Sequence, residues 1–514
     1  MHKSATKIAF LTSHDRWSYW LQHATELLRE MHDVSSISHC FLVGTFGSKG
    51  GIFRKLCSMP LNYLERRAYN PAEIGALSES ECSKPVSVGI RNEESLVLWL
   101  ELYQPDILIC EGDVPQNVAQ LVRQNSNARI WSINETWSDG IPAMAARQFL
   151  SRSGSVALSL SDISNVRNEY ILTKTVSQVS EISLSHSIHR HFLKLSNMIG
   201  RALSAQNCDH ISEIDKVSPL SNIEIISVAA TQAYRRVIQR VQKRNDQAWS
   251  IALGSKADTE SDFPDIASMT LLSPPSDRFW ADPFLAEDMG RNYLFFEELK
   301  YGENIGKLAV AEVGPEGLRS KPEIILDEPW HLSYPQIFRH DGQWYMIPES
   351  GDAERVDLYT TEDFPRNWKR LKTLVKGQRF FDATVVEHDG LWWLFGTVAE
   401  NGVSDYDELC VYYSNDLLTG DWTPHPSNPV ISDVTSARPA GPFLWSSGRL
   451  FRPSQDSRKR YGYGLVLNEV IDLTTTNYKE KVTDRVLPER HGMKFRGMHT
   501  YGKNNGLVTV DCIL

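Results

Sequence analysis

The sequence predicts an α/β domain with a wound, mainly parallel sheet, followed by an all-β five-bladed β-propeller. Three observations carry that expectation. Over the first two hundred or so residues, short apolar runs alternate with helical patterns. From about Ala248 the pattern changes to aromatic and β-branched strands separated by Asp-Gly, Asn-Gly and Ser-Gly turns. The turn glycines of that second part then recur at a nearly constant interval, the signature of a blade repeated around an axis.

In the first part, KIAFLT reads as a buried strand, WSYWLQHATELLREM as a helix and HCFLVGT as the next strand. ESLVLWLELYQ leads into PDILICEG, and VPQNVAQLVRQ into ARIWSIN. Strand, helix, strand at this spacing builds a parallel wound sheet. Two more helical stretches follow, over 185–203 and 228–244, with the polar run SKADTESDFPD as a linker or long loop. The expected boundaries are 1–205 for the α/β domain, 206–247 for a helical linker and 248–514 for the propeller.

Apolar residues make up 41% of the 514 and charged residues 23%, the profile of a globular chain. A net charge of −10 argues against nucleic acid, whose phosphates need a basic surface. There is no Walker loop, no zinc-spaced Cys/His cluster and no complete GxGxxG. The seven cysteines are odd in number and scattered, which suits reduced thiols better than a disulfide framework. MHKSATKIAFLTSHD carries an apolar core of only Ile8 to Leu11, too short for a signal segment, and no run approaches the roughly 18–20 apolar residues of a spanning helix. The expected compartment is the cytoplasm.

The propeller repeat is centred on Gly290, Gly342, Gly390, Gly448 and Gly506, which fall 52, 48, 58 and 58 residues apart. Eight residues before them stand Asp282, Tyr334, Asp382, Ala440 and Met498; three after them stand Tyr293, Tyr345, Trp393, Phe451 and Thr509. A hairpin returns on itself, so the residue eight before the turn ends beside the one seven after it. Those later positions hold Glu297, Glu349, Thr397 and Gln455 in the first four units. Five units around an axis therefore gather Asp282, Glu297, Glu349, Asp382 and Gln455 at one end of the channel. Each acid sits in apolar or aromatic text (FWADPF, MIPES, FFDATVV), where an idle charge is expensive. Neighbouring segments add Trp280, His331, Arg438, Arg452 and His499. Carboxylates among aromatic rings suit a sugar: the rings stack on it, and the carboxyls bind hydroxyls and move protons.

The ordered run FWADPFLAED, EPWHLSYPQIF, WYMIPES, FFDATVVEHDGLWWLFGT, SARPAGP, RLFRPSQDSRKRYG and GMHTYG resembles the five-bladed propeller domain of plant glucosamine inositolphosphorylceramide transferases and bacterial glycan-locus proteins. That domain is similar to the glycoside hydrolase family 43 propellers. The resemblance covers roughly 248–514. It implies that Asp282 is a base or nucleophile, and that Glu349 and Asp382 are a general acid and an orienting carboxylate. Trp280, Glu297, His331, Tyr334, Arg438, Arg452, Gln455 and His499 are the expected substrate-binding residues. This sequence has Tyr334 where the hydrolases have a second-blade Asp. The N-terminal part more faintly resembles a formyltransferase domain, with Asn134 in place but Thr136 and Arg167 where that family has His and Asp, implying a degenerate domain.

The favoured function is glycosyl transfer in cytoplasmic surface-glycan or glycolipid biosynthesis, with the sugar in the propeller channel. A furanosidase or xylosidase, a non-catalytic glycan-binding module and a sugar N-formyltransferase are the alternatives. The sequence requires no cofactor and is compatible with a nucleotide-sugar donor. It has no Ca²⁺-loop spacing, so no metal is expected. The expected partner is a carbohydrate or glycolipid acceptor, not nucleic acid; the sequence carries no signal for an oligomeric state.

Overall fold

The computed structural model describes residues 6–12, 19–30, 34–43, 87–111, 116–133, 140–165, 168–180, 183–204, 209–210, 221–242, 248–255, 263, 268–399, 404–488 and 495–513. The chain forms two compact units, the first Met1–Gln242, the second Lys243–Glu400 with Ser404–Leu514.

The first unit holds a mixed eight-stranded sheet. Its strands are β1 (Thr6–Thr12), β2 (Val34–Leu42), β3 (Ser87–Ile90), β4 (Ile107–Glu111), β5 (Arg129–Ile133), β6 (Ser155–Asn165), β7 (Asn168–Gln178) and β8 (Asp209–His210), in the order β3-β2-β1-β4-β5-β6-β7-β8. The first five strands in that order are parallel; β6, β7 and β8 join antiparallel. Side chains alternate across the pleat. Ile8, Phe10, Ile109 and Trp131 pack with residues of the helices Gly140–Ser151 and Leu184–Ser204. Ala9, Leu11, Leu108 and Cys110 pack with the helices Glu93–Tyr103 and Gln116–Asn125 on the opposite face. Strands β6 and β7 form an antiparallel hairpin. Thr173 and Thr175 pair with Leu160 and Leu158 across it. Asn134, Thr136 and Arg167, on which the formyltransferase comparison turned, lie outside the described residues. The described cysteines, Cys40, Cys110, Cys410 and Cys512, are free thiols.

The second unit is a five-bladed propeller of four- and five-stranded antiparallel sheets. The first blade opens with Arg278–Asp288 and Arg291–Lys300, the second with Ser333–His340 and Gln343–Glu349, the third with Phe380–His388 and Leu391–Val398. The fourth opens with Leu444–Ser446 and Arg449–Asp456. All five inner hairpins turn through two left-handed residues: Met289-Gly290, Asp341-Gly342, Asp389-Gly390, Ser447-Gly448 and Asn505-Gly506. That is the turn whose twist matches the strands it joins, and it favours glycine at its second position. Inside the first strand of blades one to three the ladder shifts register, and the residue at the shift is left-handed: Asp282 at φ 53°, Tyr334 at 45°, Asp382 at 50°.

The fifth blade is shared between the ends of the propeller. Tyr501–Asn504 and Leu507–Ile513 pair with Trp249–Ser255, which pairs with Thr270–Leu272. The strand that opens the propeller sequence thus becomes the third strand of its last blade and closes the ring. Side-chain amides staple other blades: Gln336 of the second donates to Val385 O (2.9 Å) and accepts from Val385 N (2.7 Å) of the third. Asn504 donates to Leu285 O of the first.

Leu253, fully buried on the closing strand, packs with Leu285, Leu294 and Trp280 of the first blade. Leu253→Ala is expected to cost about 2–5 kcal/mol of unfolding free energy, the range for a buried Leu→Ala. A urea midpoint unchanged from wild type would show that this strand does not hold the ring.

Candidate active site

The repeat phase brings the acids together because each blade pairs the residue before its left-handed position with the one at the end of the returning strand. Ala281 faces Glu297, Ser333 faces Glu349 and Phe381 faces Thr397 across the inner hairpins. Asp282, Glu297, Glu349 and Asp382 are all buried and feel one another's charge.

On one side of this cluster, Arg438 clamps Asp382 with two bonds, Nε to Oδ2 (2.6 Å) and Nη2 to Oδ1 (3.1 Å). The same Nη2 reaches Glu349 Oε2 at 3.4 Å, and Nη1 reaches Asp405. Gln455 donates to Asp382 Oδ2 at 2.9 Å. The guanidinium lies over the rings of Tyr461 (4.8 Å) and Phe381 (5.3 Å). Burial, then the Asp382 charge with which it shares a hydrogen bond, pushes the Glu349 carboxyl well above the usual carboxylate range, against the pull of Arg438. Glu349 is therefore held as the acid.

On the other side, Asp282 accepts from Thr500 Oγ1 (2.5 Å) and Tyr334 N (3.2 Å). Burial raises it to about 6, with His499 pulling down and Asp382 and Asp511 pushing up. Asp511, fully buried on the second strand of the fifth blade, accepts the backbone N–H groups of Asp282, His499 and Thr500, each at 2.9 Å. Its Oδ2 forms an ion pair with His499 Nδ1, without the alignment of a hydrogen bond. Burial favours neutral His499, but Asp511 and Asp282 outweigh it and raise the imidazole above its ordinary value. Trp249, from the closing strand, stacks flat on His499 at 4.0 Å between centroids.

Glu297 completes the cluster. His331 Nδ1 accepts from Gly306 N (3.0 Å), which leaves the ring proton on Nε2, 3.3 Å from Glu297 Oε1. The line is too bent for a hydrogen bond, and Oε1 has no partner. Burial and then the charge of Asp282 hold Glu297 well above its usual range. A Cβ at Gly306 would lie 2.5 Å from that oxygen, so only glycine fits there.

Two expected binding residues lie elsewhere. Arg452 is a strut: its guanidinium pairs with Glu480 (2.7 and 2.8 Å) and donates to Ala437 O and Ser436 O. Trp280 points to the opposite face of the first blade, where its Nε1 donates to Glu298 Oε2 at 3.0 Å. Tyr334 is in the channel rather than at its mouth. Its hydroxyl accepts from Gly441 N (2.6 Å) and lies 3.1 Å from Gly441 O and 3.0 Å from Thr384 Oγ1. The sequence reading missed Asp511, Thr500, Tyr461 and Trp249. Asp511 carried a usable signal, as a lone acid in the apolar strand LVTVDCI.

Among the described residues one group, Asp282, His499 and Asp511, has three metal-ligand atoms within 4.8 Å of one another. Both carboxylates there already accept two or more protein hydrogen bonds, so the group is held together as a hydrogen-bonded knot.

Residues 242–499 match the family model described as glucosamine inositolphosphorylceramide transferase 1, N-terminal. The glucosamine inositolphosphorylceramide transferase 1 of Oryza sativa subsp. japonica is 34% identical over 243 residues, covering 46% of this chain and 31% of that protein. Its counterpart in Arabidopsis thaliana is 35% identical over 218 residues, covering 42% and 28%. The chain therefore spans under a third of the length of these relatives. Among solved structures, a family 117 glycoside hydrolase of Zobellia galactanivorans aligns with TM-score 0.34 and 11% identity, over 52% of this chain and 92% of that one. An α-L-arabinofuranosidase of Lactobacillus brevis aligns with TM-score 0.35 and 16% identity, over 43% and 78%.

The acids also set a pH dependence. Asp282 ionises near 3.8 when unfolded and near 6 when folded, so between those values the folded state keeps a proton that the unfolded chain has released. Stability from this group therefore falls as pH rises through that window. Glu297 and Glu349, both raised, act in the same direction at higher pH. Thermal melts of Glu297→Gln are expected to fall less steeply than wild type from pH 5 to pH 8, with the variant the more stable at pH 8. Parallel curves would mean that Glu297 is not held protonated.

Proposed function

The chain belongs to the glucosamine inositolphosphorylceramide transferase 1 N-terminal family, and from that membership and the acid cluster we propose that its propeller catalyses glycosyl transfer. The acceptor is a carbohydrate or glycolipid, and the setting is the cytoplasmic stage of surface-glycan or glycolipid assembly. The observation that carries this reading is Arg438, which clamps Asp382 with two bonds and reaches Glu349 at 3.4 Å within the buried cluster that also holds Asp282.

In that arrangement Glu349 donates its proton to the leaving oxygen as the bond to the anomeric carbon breaks. Asp282, mostly ionised at neutral pH with a pKa of about 6, takes the proton of the acceptor hydroxyl as its oxygen bonds to that carbon. Asp382 touches Glu349 and Arg438, and so orients the acid. Tyr461, partly exposed beside Arg438 and edge-on to His499, offers an aromatic edge to a sugar, while the buried Trp249 backs His499. The transferase name of the plant relatives supports transfer over hydrolysis.

Incubation with a panel of nucleotide sugars and a glycolipid acceptor is expected to consume one donor. Glu349→Gln and Asp282→Asn are each expected to lower that turnover by about 10²–10⁴-fold, the usual worth of a positioned acid or base. Turnover unchanged in both variants would sink the proposal. Sugar binding retained by both, with no turnover even in wild type, would instead identify a glycan-binding module. That second reading is favoured by one fact: Asp282 already carries hydrogen bonds from Thr500 and Tyr334.

A further inference from the structure

The acid cluster leaves Trp280 without a part, although FWADPF is among the most aromatic stretches of the chain. Neighbouring residues on a strand point to opposite faces, so Glu297 and Glu298 serve different places. Glu297 faces His331 and Gly306. Glu298 and Trp280 face a groove of about 750 Å³ between the first blade and the segment that follows the outer strand of the fifth.

We propose that this groove binds a sugar that carries a phosphate ester. One part of it is pre-organised. Glu298, only 10% exposed in its side chain, accepts from Trp280 Nε1 (3.0 Å) and Arg278 Nη1 (2.7 Å), which fixes the indole and the guanidinium in place. Pro274, Pro275 and the exposed Ile324 form an apolar wall, the surface that the C–H face of a ring polyol covers, while the indole of Trp280 is buried in the blade core. The charges at the rim are not equivalent. Arg278 is neutralised by Glu298 and Asp277, and Lys307 by Asp327 at 2.8 Å. Lys300 and Lys321 line the same groove, and neither forms an ion pair within 4 Å among the described residues. Among the described residues, Glu303 is the one acid of the lining that no basic partner engages at ion-pair distance. A ligand with an apolar ring face and a compact anion matches that pattern, whereas a neutral sugar would leave both ammonium groups unused.

Two sources supply this chemistry, a nucleotide-sugar donor and a phosphate-bearing lipid headgroup. The inference does not depend on the chemistry assigned to the acid cluster. Calorimetric titration of the full chain would use glucose 1-phosphate, a uridine diphosphate hexose and phosphatidylinositol vesicles, with glucose and phosphatidylcholine vesicles as controls. At least one phosphate probe is expected to bind, its controls not, and the affinity to fall roughly ten-fold in the double variant K300A/K321A. Preference for the nucleotide sugar identifies the donor, and preference for the vesicles the headgroup. Absence of binding by every probe would overturn the inference, as would equal binding of a control. Binding retained in K300A/K321A, or in the reversal Lys321→Glu, would assign the ligand to another part of the chain and overturn it as well.

Discussion

The buried carboxylate of Asp511 is the point at which ring closure and the candidate site become one problem. Its strand, Leu507–Ile513, carries the pairing with Trp249–Ser255 that joins the two ends of the propeller. Its oxygens take the N–H groups of His499 and Thr500 from the same blade and of Asp282 from the first. The N–H of Asp282 is available only because that residue breaks the ladder in a left-handed conformation, so the bulge, the closing strand and the aim of the Asp282 carboxylate are set together. A buried carboxylate that accepts three N–H groups is compensated, whereas one that loses them is an unpaired charge at a blade junction.

The same cluster explains why the site is electrostatically poised. Five buried carboxyls, Asp282, Glu297, Glu349, Asp382 and Asp511, face one guanidinium, Arg438, and one raised imidazole, His499. Two cations do not compensate five anions in a water-poor interior, so protons must make up the difference. Burial pushes Glu349 and Glu297 well above their usual range, so these two carboxyls favour the protonated form. The geometry thereby separates an acid from its neighbours, at the cost of stability once pH rises high enough to remove the protons. Such a cost is expected where the arrangement serves a ligand rather than the fold.

Much of this was legible in the sequence because the propeller repeats its turn chemistry. Gly290, Gly342, Gly390, Gly448 and Gly506 all occupy the same left-handed turn position, so counting from them located Asp282, Glu297, Glu349, Asp382 and Gln455 in one phase. What the count lacked was the face of each strand and the identity of each neighbour. Trp280 stands two residues before Asp282, but the register shift between Ala281 and Phe284 breaks the alternation that would have placed them together. Arg452 stands three residues before Gln455, yet its guanidinium is held by Glu480 of the outer strand Tyr478–Val486, a partner with no sequence proximity. Trp249 was invisible for a different reason. It reaches His499 only because the fifth blade borrows its third strand from the start of the propeller, and strand exchange of that kind leaves no trace in the spacing. In the first unit the β6–β7 hairpin was legible though not read: Val156, Leu158 and Leu160 alternate with Ala157, Ser159 and Ser161 in β6, the two-residue period of a strand.

Tyr334 is the residue at which the repeat and the chemistry diverge, and the balance of charge gives the reason. It occupies the same left-handed position as Asp282 and Asp382, a backbone state that costs an aromatic side chain about 1–3 kcal/mol unless its surroundings enforce it. Here they do. Its N–H serves Asp282, its hydroxyl is held by the backbone of Gly441 beside Thr384, and its ring packs edge-on against Phe284 at 4.8 Å. A carboxyl in its place would be a sixth buried acid facing the same two basic groups. Burial, with the charge of Asp382, raises the phenol well above its ordinary value and keeps it neutral. Its hydroxyl reaches Thr384 of the third blade and Gly441 ahead of the fourth, so Tyr334 ties three blades together beside Asp282. Beside the acids, His331 and Asp405 are partly exposed.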